Sequence, residues 1–280
     1  MISARVAASP AGVARHYDEL DPFYRELWGE HLHHGYWATG REKPAQAVRN
    51  LVDVVADRAG IRPHDDVVDV GCGYGATARI LAREHGARVT AYTLSAAQHA
   101  AAALDDGDGR IRFVLRDWLE NDLLPASCDA VIAIESTEHM ADKPRFFAEA
   151  ARVLRPGGRL VVCAWLAAEN ASPWQVRRLL EPICAEGRLP SMGTGEEYRL
   201  MMEWAGLDLR SADDITAHVA RTWSHCLLRL AARLPRPSSW RYLLDRRNEN
   251  RIFALTVPRI LLAYRAGAMK YGIFVGVRPE

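Results

Sequence analysis

The amino-acid sequence predicts an α/β protein in which a mostly parallel sheet carries helices on both faces. Short apolar strand patterns alternate with helical patterns between Asp66 and Ala164, and this alternation is typical of parallel strands joined by crossover helices. A glycine-rich turn, Gly71 to Gly75, directly follows the first of these strands. The 280 residues, of which 49% are hydrophobic and 25% charged, suffice for one large domain with a substrate-covering insertion.

Each element has its own local signal. Apolar residues three and four positions apart predict two lead-in helices, at 14–28 and 44–59. Short apolar runs bounded by turn residues predict strands at 66–70, 88–92, 111–115, 129–134 and 158–164. Helical periodicity between these strands predicts helices at 76–85, 95–104 and 144–154, the last of them ended by Pro156-Gly157.

The pattern changes after Trp165. The remaining elements are helices near 173–184 and 195–205, a strand at 207–215, a mainly helical stretch at 218–269 and a last strand at 271–277. Because the helical stretch stands before the last strand, we expect an insertion that covers the carboxyl ends of the sheet. The predicted organisation is an N-terminal helical cover (1–60), a core (61–217), a helical substrate lid (218–270) and the final strand of the core (271–280).

The glycine-rich turn predicts a nucleotide site. Gly71, Gly73 and Gly75 let the backbone approach a ligand closely and aim the N–H groups of the next helix at it. The same pattern fits a dinucleotide site, so a nicotinamide-dependent reductase is one alternative. Asp69 precedes the first glycine by two residues and favours a ligand with an ammonium group, since a pyrophosphate would gain nothing from a carboxylate there.

Two further segments point to one family. The turn, taken with Leu154 to Val162 (LRPGGRLVV), resembles class I S-adenosylmethionine (SAM)-dependent methyltransferases. Thr93 to Gln98 (TLSAAQ) is similar to a signature of the tocopherol-methyltransferase-like and cyclopropane-synthase-like enzymes. The resemblance runs from Tyr17 to Val277 and implies a Rossmann-like fold, a seven-stranded sheet and SAM as the cofactor.

The resemblance also implies cofactor-binding residues. Thr93 and Gln98 would hold the ribose hydroxyls, and Asp117 and Trp118 would meet the adenine ring. The alternatives are a helix-capping Thr93 with a solvated Gln98, and a surface acid beside a core tryptophan. The complete expected set is Tyr17, Asp69, Gly71, Gly73, Gly75, Thr93, Gln98, Asp117 and Trp118.

The chemical end of the site is expected after the fourth strand. Glu135 to Lys143 (ESTEHMADK) resembles a segment of tocopherol methyltransferases. His139 is the candidate general base, because an unperturbed imidazole has a pKa of about 6.5. Glu135 or Glu138 would orient it or stabilise developing positive charge. Thr137 stands where the family commonly has glycine and could narrow the space beside the donor. No metal is expected, since the histidines form no ligand set.

The N-terminal segment from His16 to Trp37 is a second match to the tocopherol-methyltransferase type. In that family the region folds over the cofactor, which implies that Tyr17, His34, Tyr36 and Trp37 wall the methyl-transfer cavity. Aromatic faces attract a sulfonium by about 0.5–2 kcal/mol. The alternative is that some of these rings only attach the lead-in helices to the domain.

Composition narrows the partners and the location. A net charge of +1 gives no global attraction to nucleic acid, and no N-P-P-Y-like segment or stacking platform predicts one as substrate. Five widely spaced cysteines, no signal peptide and no long apolar run favour the cytoplasm. We expect a monomer or homodimer.

The predicted lid is strongly basic. Asp245 and Glu249 are its only acids between His218 and Lys270. This excess predicts recognition of an anionic substrate group, peripheral contact with a membrane surface, or only a solvated face. The basic residues are Arg221, Arg229, Arg233, Arg236, Arg241, Arg246, Arg247, Arg251, Arg259, Arg265 and Lys270.

The leading hypothesis is a SAM-dependent methyltransferase whose small acceptor is an apolar natural product or a prenylated phenol or quinol. One alternative is a C-methyltransferase of prenyl diphosphates, in which lid arginines hold phosphate and Glu135 or Glu138 is the base. Another is a SAM-binding cyclase or partner subunit that transfers no methyl group.

Overall fold

A computed structural model describes residues 1–3, 9–27, 29–106, 109–233 and 253–280. Its centre is one mixed sheet of seven strands. A separate antiparallel pair joins β1 (Ile2–Ser3) to β7 (Ser191–Met192). The strands of the large sheet are β2 (Asp66–Val70), β3 (Arg88–Thr93), β4 (Ile111–Leu115), β5 (Cys128–Ile134), β6 (Leu154–Ala167), β8 (Asp208–Asp214) and β9 (Met269–Val277).

The strand order of the large sheet is β4-β3-β2-β5-β6-β9-β8. The first five strands in this order pair in parallel, whereas β9 pairs antiparallel with both β6 and β8. The expected fold class, a mostly parallel seven-stranded sheet of Rossmann-like type, is confirmed. Because β2, β3 and β5 lie side by side, the loops that follow them meet at one edge, where open α/β sheets bind ligands.

Helices cover both faces of this sheet. On one face α2 and α3 bury Leu51, Val55 and Leu81, and on the other α5 and α8 bury Phe147 and Tyr198. The two buried clusters fix the sheet between helical layers. The helices are α1 (Pro10–Leu27), α2 (Pro44–Ala59), α3 (Ala76–Glu84), α4 (Ala96–Ala102), α5 (Lys143–Val153), α6 (Pro173–Gln175), α7 (Glu181–Glu186), α8 (Gly195–Trp204), α9 (Thr216–Val219), α10 (Arg221–Arg233) and α11 (Phe253–Arg265).

Short helical turns complete the chain path. The 3-10 helices Trp118–Glu120 and Thr137–His139 follow β4 and β5, and a π-helical stretch, Val176–Leu180, joins α6 to α7. The 3-10 helix after β5 is the more important for function, because it lies in the segment from Glu135 to Lys143 that is predicted to carry the catalytic residues.

The largest difference from the predicted boundaries lies in β6. It begins at Leu154, four residues before the predicted start, because Leu154 pairs with Cys128 and the register shifts before Ala130. The backbone N–H of Gly157 donates to the carbonyl of Arg278 at 2.8 Å. These partners are distant in sequence, so no local pattern could reveal the early start.

The two helices of the predicted lid, α10 and α11, contact each other before the chain enters β9. The intervening lid residues 234–252, with Arg236, Arg241, Arg246, Arg247 and Arg251, lie outside the described residues, as does Trp28 at the predicted end of α1. Within the ranges that are described, no helix combines the length and apolar character required to cross a bilayer.

Candidate active site

A cleft of about 1120 Å³ opens at the carboxyl ends of β2, β3 and β5. Its walls come from the glycine-rich turn, the loops after β3 and β4, and the N-terminal region through Val13, Tyr17 and His31. Helix α1 therefore lies across this cleft, whereas α2 packs against β5 and β6 of the sheet. We call this space the cofactor cleft.

Asp69 is the clearest polar feature of the cofactor cleft. It lies near the end of β2, is only 3% exposed and lines the cleft. Its Oδ2 atom has no hydrogen-bond partner among the described residues, and burial raises the pKa of the carboxyl to about 7. A buried carboxylate without a partner is costly, so this oxygen fits a cationic group of a ligand.

The three glycines of the turn are needed for different reasons, although all have positive φ. A side chain at Gly71 would collide with Ser136, and one at Gly75 would lie 2.6 Å from the Phe113 ring. Nothing lies within 4 Å of the position a side chain would take at Gly73. Gly71 and Gly73 line the cofactor cleft, whereas Gly75 serves the packing of α3 and does not line it.

Thr93 and Gln98 are both buried and both line the cofactor cleft. The Thr93 hydroxyl donates to Gln98 Oε1 at 2.9 Å and accepts from the backbone N–H of Ser95. Ser95, rather than Thr93, caps α4 by accepting from the backbone N–H of Gln98. Thr93 therefore orients the Gln98 amide, and this amide is the better placed of the two for a ligand.

Asp117 and Trp118 line the cofactor cleft at its other end, after β4. Asp117 Oδ1 accepts from the backbone N–H of Leu119 at 2.9 Å. Trp118 is 3% exposed, and its ring packs against Tyr92 and Phe146. Its indole N–H has no partner among the described residues. The site thus presents one carboxylate and one buried, unsatisfied donor, which suit a purine.

A second cavity of about 620 Å³ lies next to the cofactor cleft. Tyr17, Leu32, Glu135 and His139 line both spaces. We call the second space the acceptor cavity, because a methyl group must pass between two adjoining sites. Its remaining walls are mainly apolar and are formed by His16, Glu138, Trp165, Ile183, Gly187, Leu189, Trp223, Thr256 and Ile260.

His139 and Tyr17 face each other where the two spaces meet. The Tyr17 hydroxyl and His139 Nε2 lie 2.8 Å apart, and their rings meet edge to face. Burial, with a smaller effect from His16, lowers the pKa of His139 to about 3. His139 is therefore neutral at physiological pH and is a weak proton acceptor in this state.

Glu138 has the opposite shift. It is 2% exposed, lines the acceptor cavity and accepts from the backbone N–H of Trp165 through Oε1. Burial raises the pKa of Glu138 to about 8, although the Trp165 N–H opposes the shift. Thr137 is fully buried, lines neither cavity and hydrogen-bonds Tyr198 at 2.8 Å, so it does not narrow the space beside the donor.

Glu135 is held by donors from three parts of the chain. It accepts from the backbone N–H and Nδ1 of His34, from Trp165 Nε1 at 2.7 Å and from the Tyr271 hydroxyl at 2.8 Å. Burial alone would raise the pKa of Glu135, but His34 outweighs it and lowers the pKa to about 2. Glu135 is therefore an anion with satisfied oxygens, which is unsuitable as a base.

Only one of the four ring-bearing residues predicted to line the methyl-transfer cavity does line it. Tyr17 lines both cavities, whereas His34, Tyr36 and Trp37 line neither. The Tyr36 ring stacks on His218, and the Trp37 ring stacks on His225. Both rings thus attach the N-terminal segment to the region around α10. This agrees with the alternative prediction, in which some of these rings only attach the N-terminal region to the domain. His34 lies behind Glu135 and hydrogen-bonds to it.

Nine residues that line the acceptor cavity were not predicted as site residues, and three of these nine carry aromatic rings. Trp165 lies in β6, His16 precedes Tyr17 on α1, and Trp223 comes from α10. A signal existed only for Trp165, since it lies near the carboxyl end of a parallel strand. The other two reach the cavity through tertiary packing.

Comparisons with known proteins agree with this geometry. Residues 6–239 match the family described as mycolic acid cyclopropane synthetase. Tocopherol O-methyltransferase of Arabidopsis thaliana is 30% identical over 96% of this chain and 82% of its own length. The 27-O-demethylrifamycin SV methyltransferase of Amycolatopsis mediterranei is 33% identical over 77% of this chain and 80% of its own length.

Among solved structures, the cyclase SpnF superimposes with a TM-score of 0.82 at 26% identity and covers 99% of both chains. The predicted enzyme class and the predicted SAM cofactor are confirmed. The alternative prediction of a nicotinamide-dependent reductase is therefore wrong. The chain belongs to the mycolic acid cyclopropane synthetase family and is a SAM-dependent methyltransferase.

Proposed function

We propose that the enzyme methylates an apolar, uncharged small molecule at a hydroxyl group, as in a prenylated phenol or quinol or a hydroxylated natural product. The acceptor cavity carries this proposal. Its walls are mostly apolar, and the described residues that form it include no lysine or arginine. A diphosphate or carboxylate buried there would lack a countercharge. The two relatives are named as methyltransferases of tocopherol and of 27-O-demethylrifamycin SV, which fits this acceptor class.

The cofactor would lie along the cofactor cleft with its sulfonium at the junction of the two cavities. Asp69 would accept from the ammonium group, and the Gln98 amide would hold the ribose hydroxyls. Asp117 and the Trp118 indole N–H would recognise the adenine ring. Three observations support this placement. Oδ2 of Asp69 and the indole N–H of Trp118 have no partner in the part of the chain that the structure describes, and Thr93 orients the Gln98 amide.

Glu138 is our proposed proton acceptor. A base works best when its pKa lies near the working pH, and Glu138 meets this condition better than His139. His139 and Tyr17 would orient the acceptor hydroxyl toward the methyl group. Alignment of donor and acceptor can supply about 7–11 kcal/mol of the barrier, so a cavity that holds the acceptor beside the methyl donor suits this reaction.

We also propose that the protein works in a reducing compartment, the cytoplasm, as a monomer or homodimer. All five cysteines are buried and unpaired, which supports a reducing environment. The basic stretch of the lid is a proposed peripheral contact with anionic surfaces, and five of its ten arginines lie outside the described residues.

The test is a set of acceptors read out by S-adenosylhomocysteine (SAH) release. We expect turnover with a prenylated hydroquinone or an apolar hydroxylated polyketide, and none with the methyl ether of the same compound. Geranyl diphosphate is the charged control. Turnover of geranyl diphosphate, with no turnover of the uncharged acceptors, would refute the proposed acceptor class.

A second candidate function is a cyclase that binds SAM without transferring its methyl group. The similarity to SpnF over the whole chain favours it. The same assay separates the two functions, since a cyclase would bind SAM by calorimetry and rearrange a substrate without releasing SAH.

A further inference from the structure

A chain of hydrogen bonds links the two lid helices to the junction of the cavities. His34 is fully buried at its centre. On one side of the ring, Nδ1 lies 3.0 Å from the Glu135 carboxylate. On the other side, Nε2 lies 2.7 Å from Trp223 Nε1 of α10 and 3.3 Å from the Tyr264 hydroxyl of α11. His34 therefore connects both lid helices to one carboxylate.

The donors around His34 fix its tautomer. An indole N–H only donates, so Nε2 of His34 must accept from Trp223. The proton of the neutral ring then belongs to Nδ1, where it can donate to Glu135. Without donors from the lid, the other tautomer would place a lone pair of Nδ1 against the carboxylate. The Glu135 carboxylate and the donors of the packed lid thus favour the same tautomer, and the lid donors strengthen the preference for a proton on Nδ1.

We propose that Trp223 and Tyr264 are positioning residues that act through the His34 tautomer to hold the Glu135 carboxylate at the junction of the cofactor cleft and the acceptor cavity. Glu135 lines both spaces. Its backbone has a φ of 54°, a left-handed conformation that is unfavourable for glutamate. Side-chain donors to the carboxylate, together with the backbone hydrogen bond from the Glu135 N–H to the carbonyl of Cys163, keep this residue in place.

The position of Glu135 has a consequence specific to charge. SAM carries a sulfonium, whereas SAH has the same groups without the methyl and without that charge. An anion at the junction therefore favours SAM over SAH. Loss of packing would weaken both ligands alike, but displacement of Glu135 would weaken SAM selectively.

The first experiment measures the tautomer directly. In the wild-type protein labelled with ¹⁵N-histidine, we expect His34 Nδ1 to carry the proton and Nε2 to be unprotonated. In the double variant Trp223→Phe/Tyr264→Phe, which keeps an aromatic ring at both positions but removes both donors, a population with protonated Nε2 should appear. Protonated Nε2 in the wild type, or an unchanged tautomer in the double variant, would overturn the proposal.

The second experiment measures the dissociation constants of SAM and SAH by calorimetry. The double variant should bind SAM about three- to tenfold more weakly, a change typical of one lost hydrogen bond, and SAH less than about twofold more weakly. Glu135→Gln should show the same selectivity. Equal weakening of both ligands would show that the two residues only pack, and would also overturn the proposal.

A rescue variant separates the tautomer from the bulk of the ring. His34→Asn presents an amide N–H near the position of Nδ1 whatever surrounds it. In that background, adding Trp223→Phe/Tyr264→Phe should leave the ratio of the two dissociation constants unchanged. A further selective loss of SAM binding would contradict the route through His34. These measurements use no acceptor, so they remain informative if the proposed acceptor class is wrong.

Discussion

Three buried carboxyl groups near the two cavities differ because their neighbours differ. Asp69 and Glu138 lie in surroundings where burial dominates, and their pKa values rise to about 7 and about 8. The Glu135 side chain is 6% exposed, and the donors around it keep its pKa low. The same functional group therefore suits three proposed roles, a ligand-binding acid, a proton acceptor and a fixed anion.

The raised pKa of Glu138 predicts the pH dependence of turnover. Only the ionised carboxylate can accept a proton, so kcat/KM should rise about tenfold per pH unit below pH 8 and level off above it. Glu138→Gln should lose this rise together with most of the activity, by about 10²-fold or more. The measurement is the pH profile of SAH release with an active acceptor.

An alternative base would give a different profile. If His139 accepted the proton, its pKa of about 3 would leave the rate flat between pH 5 and 9. A flat wild-type profile together with an active Glu138→Gln enzyme would remove Glu138 from the mechanism.

The location of a site residue could be predicted where its position at the end of a strand fixes it. Asp69, Thr93 and Asp117 follow or end strands of the sheet, and the structure brings all three to the cofactor cleft. Tyr36 and Trp37 could not be placed in this way, because their orientation depends on His218 and His225 far along the chain.

Among the elements, α1 matters most for access to the cofactor cleft. Asp18 accepts from the Ser95 hydroxyl and the backbone N–H of Ala97, which ties α1 to the start of α4. Asp21 accepts from the Tyr74 hydroxyl at 2.7 Å, which ties α1 to the glycine-rich turn. These bonds hold α1 across the cofactor cleft.

Loosening α1 should speed release of the cofactor product. Tyr74→Phe removes one hydrogen bond worth about 0.5–1.5 kcal/mol, so the dissociation rate of SAH should rise about two- to tenfold. Stopped-flow displacement of SAH measures this rate. Tyr36→Phe is the matched control because Tyr36 lines neither cavity. An equal acceleration in the control would contradict a specific role for the Tyr74 contact.

Elements with strong local signals were predicted nearly residue by residue. α2 and β4 have the predicted bounds, since Pro44 begins the helix and Gly60 ends it in a left-handed conformation. The early start of β6 was missed because it depends on pairing with Cys128 and Arg278. Non-local pairing is the information that short sequence windows lack.

For the whole molecule, strand order brings distant segments to one point. The lid helices precede β9 in the chain, and β9 lies beside β6. Tyr271 of β9, Trp165 of β6 and His34 of the N-terminal region consequently reach the same carboxylate. The sheet type was predictable from alternation of elements, but this convergence was not.

The buried carboxyl at Asp69 should cost stability in the ligand-free protein. Its pKa is about 7 when folded and near 3.8 when unfolded, so the free energy of unfolding falls as pH rises from about 4 to 7, by roughly 4 kcal/mol at most. Asp69→Asn should therefore raise the melting temperature at pH 8 by about 5 °C. The same variant should lose the thermal shift that SAM produces.

Thermal unfolding at two pH values tests this trade-off. At pH 4.5 the folded carboxyl is already protonated, so Asp69→Asn and the wild type should melt much closer together than at pH 8. A lower melting temperature for the variant at pH 8, or a full shift with SAM, would contradict the assignment of Asp69 to a cationic ligand.

The wall shared by the two cavities also constrains how the enzyme can diversify. A change at Tyr17, Leu32, Glu135 or His139 disturbs donor and acceptor at once, because each of these residues touches both spaces. Ile183, Leu189 and Ile260 touch only the acceptor cavity. Descendants of this chain can therefore acquire new substrates most readily at these three aliphatic positions, where selection for a different acceptor leaves the handling of the methyl donor intact.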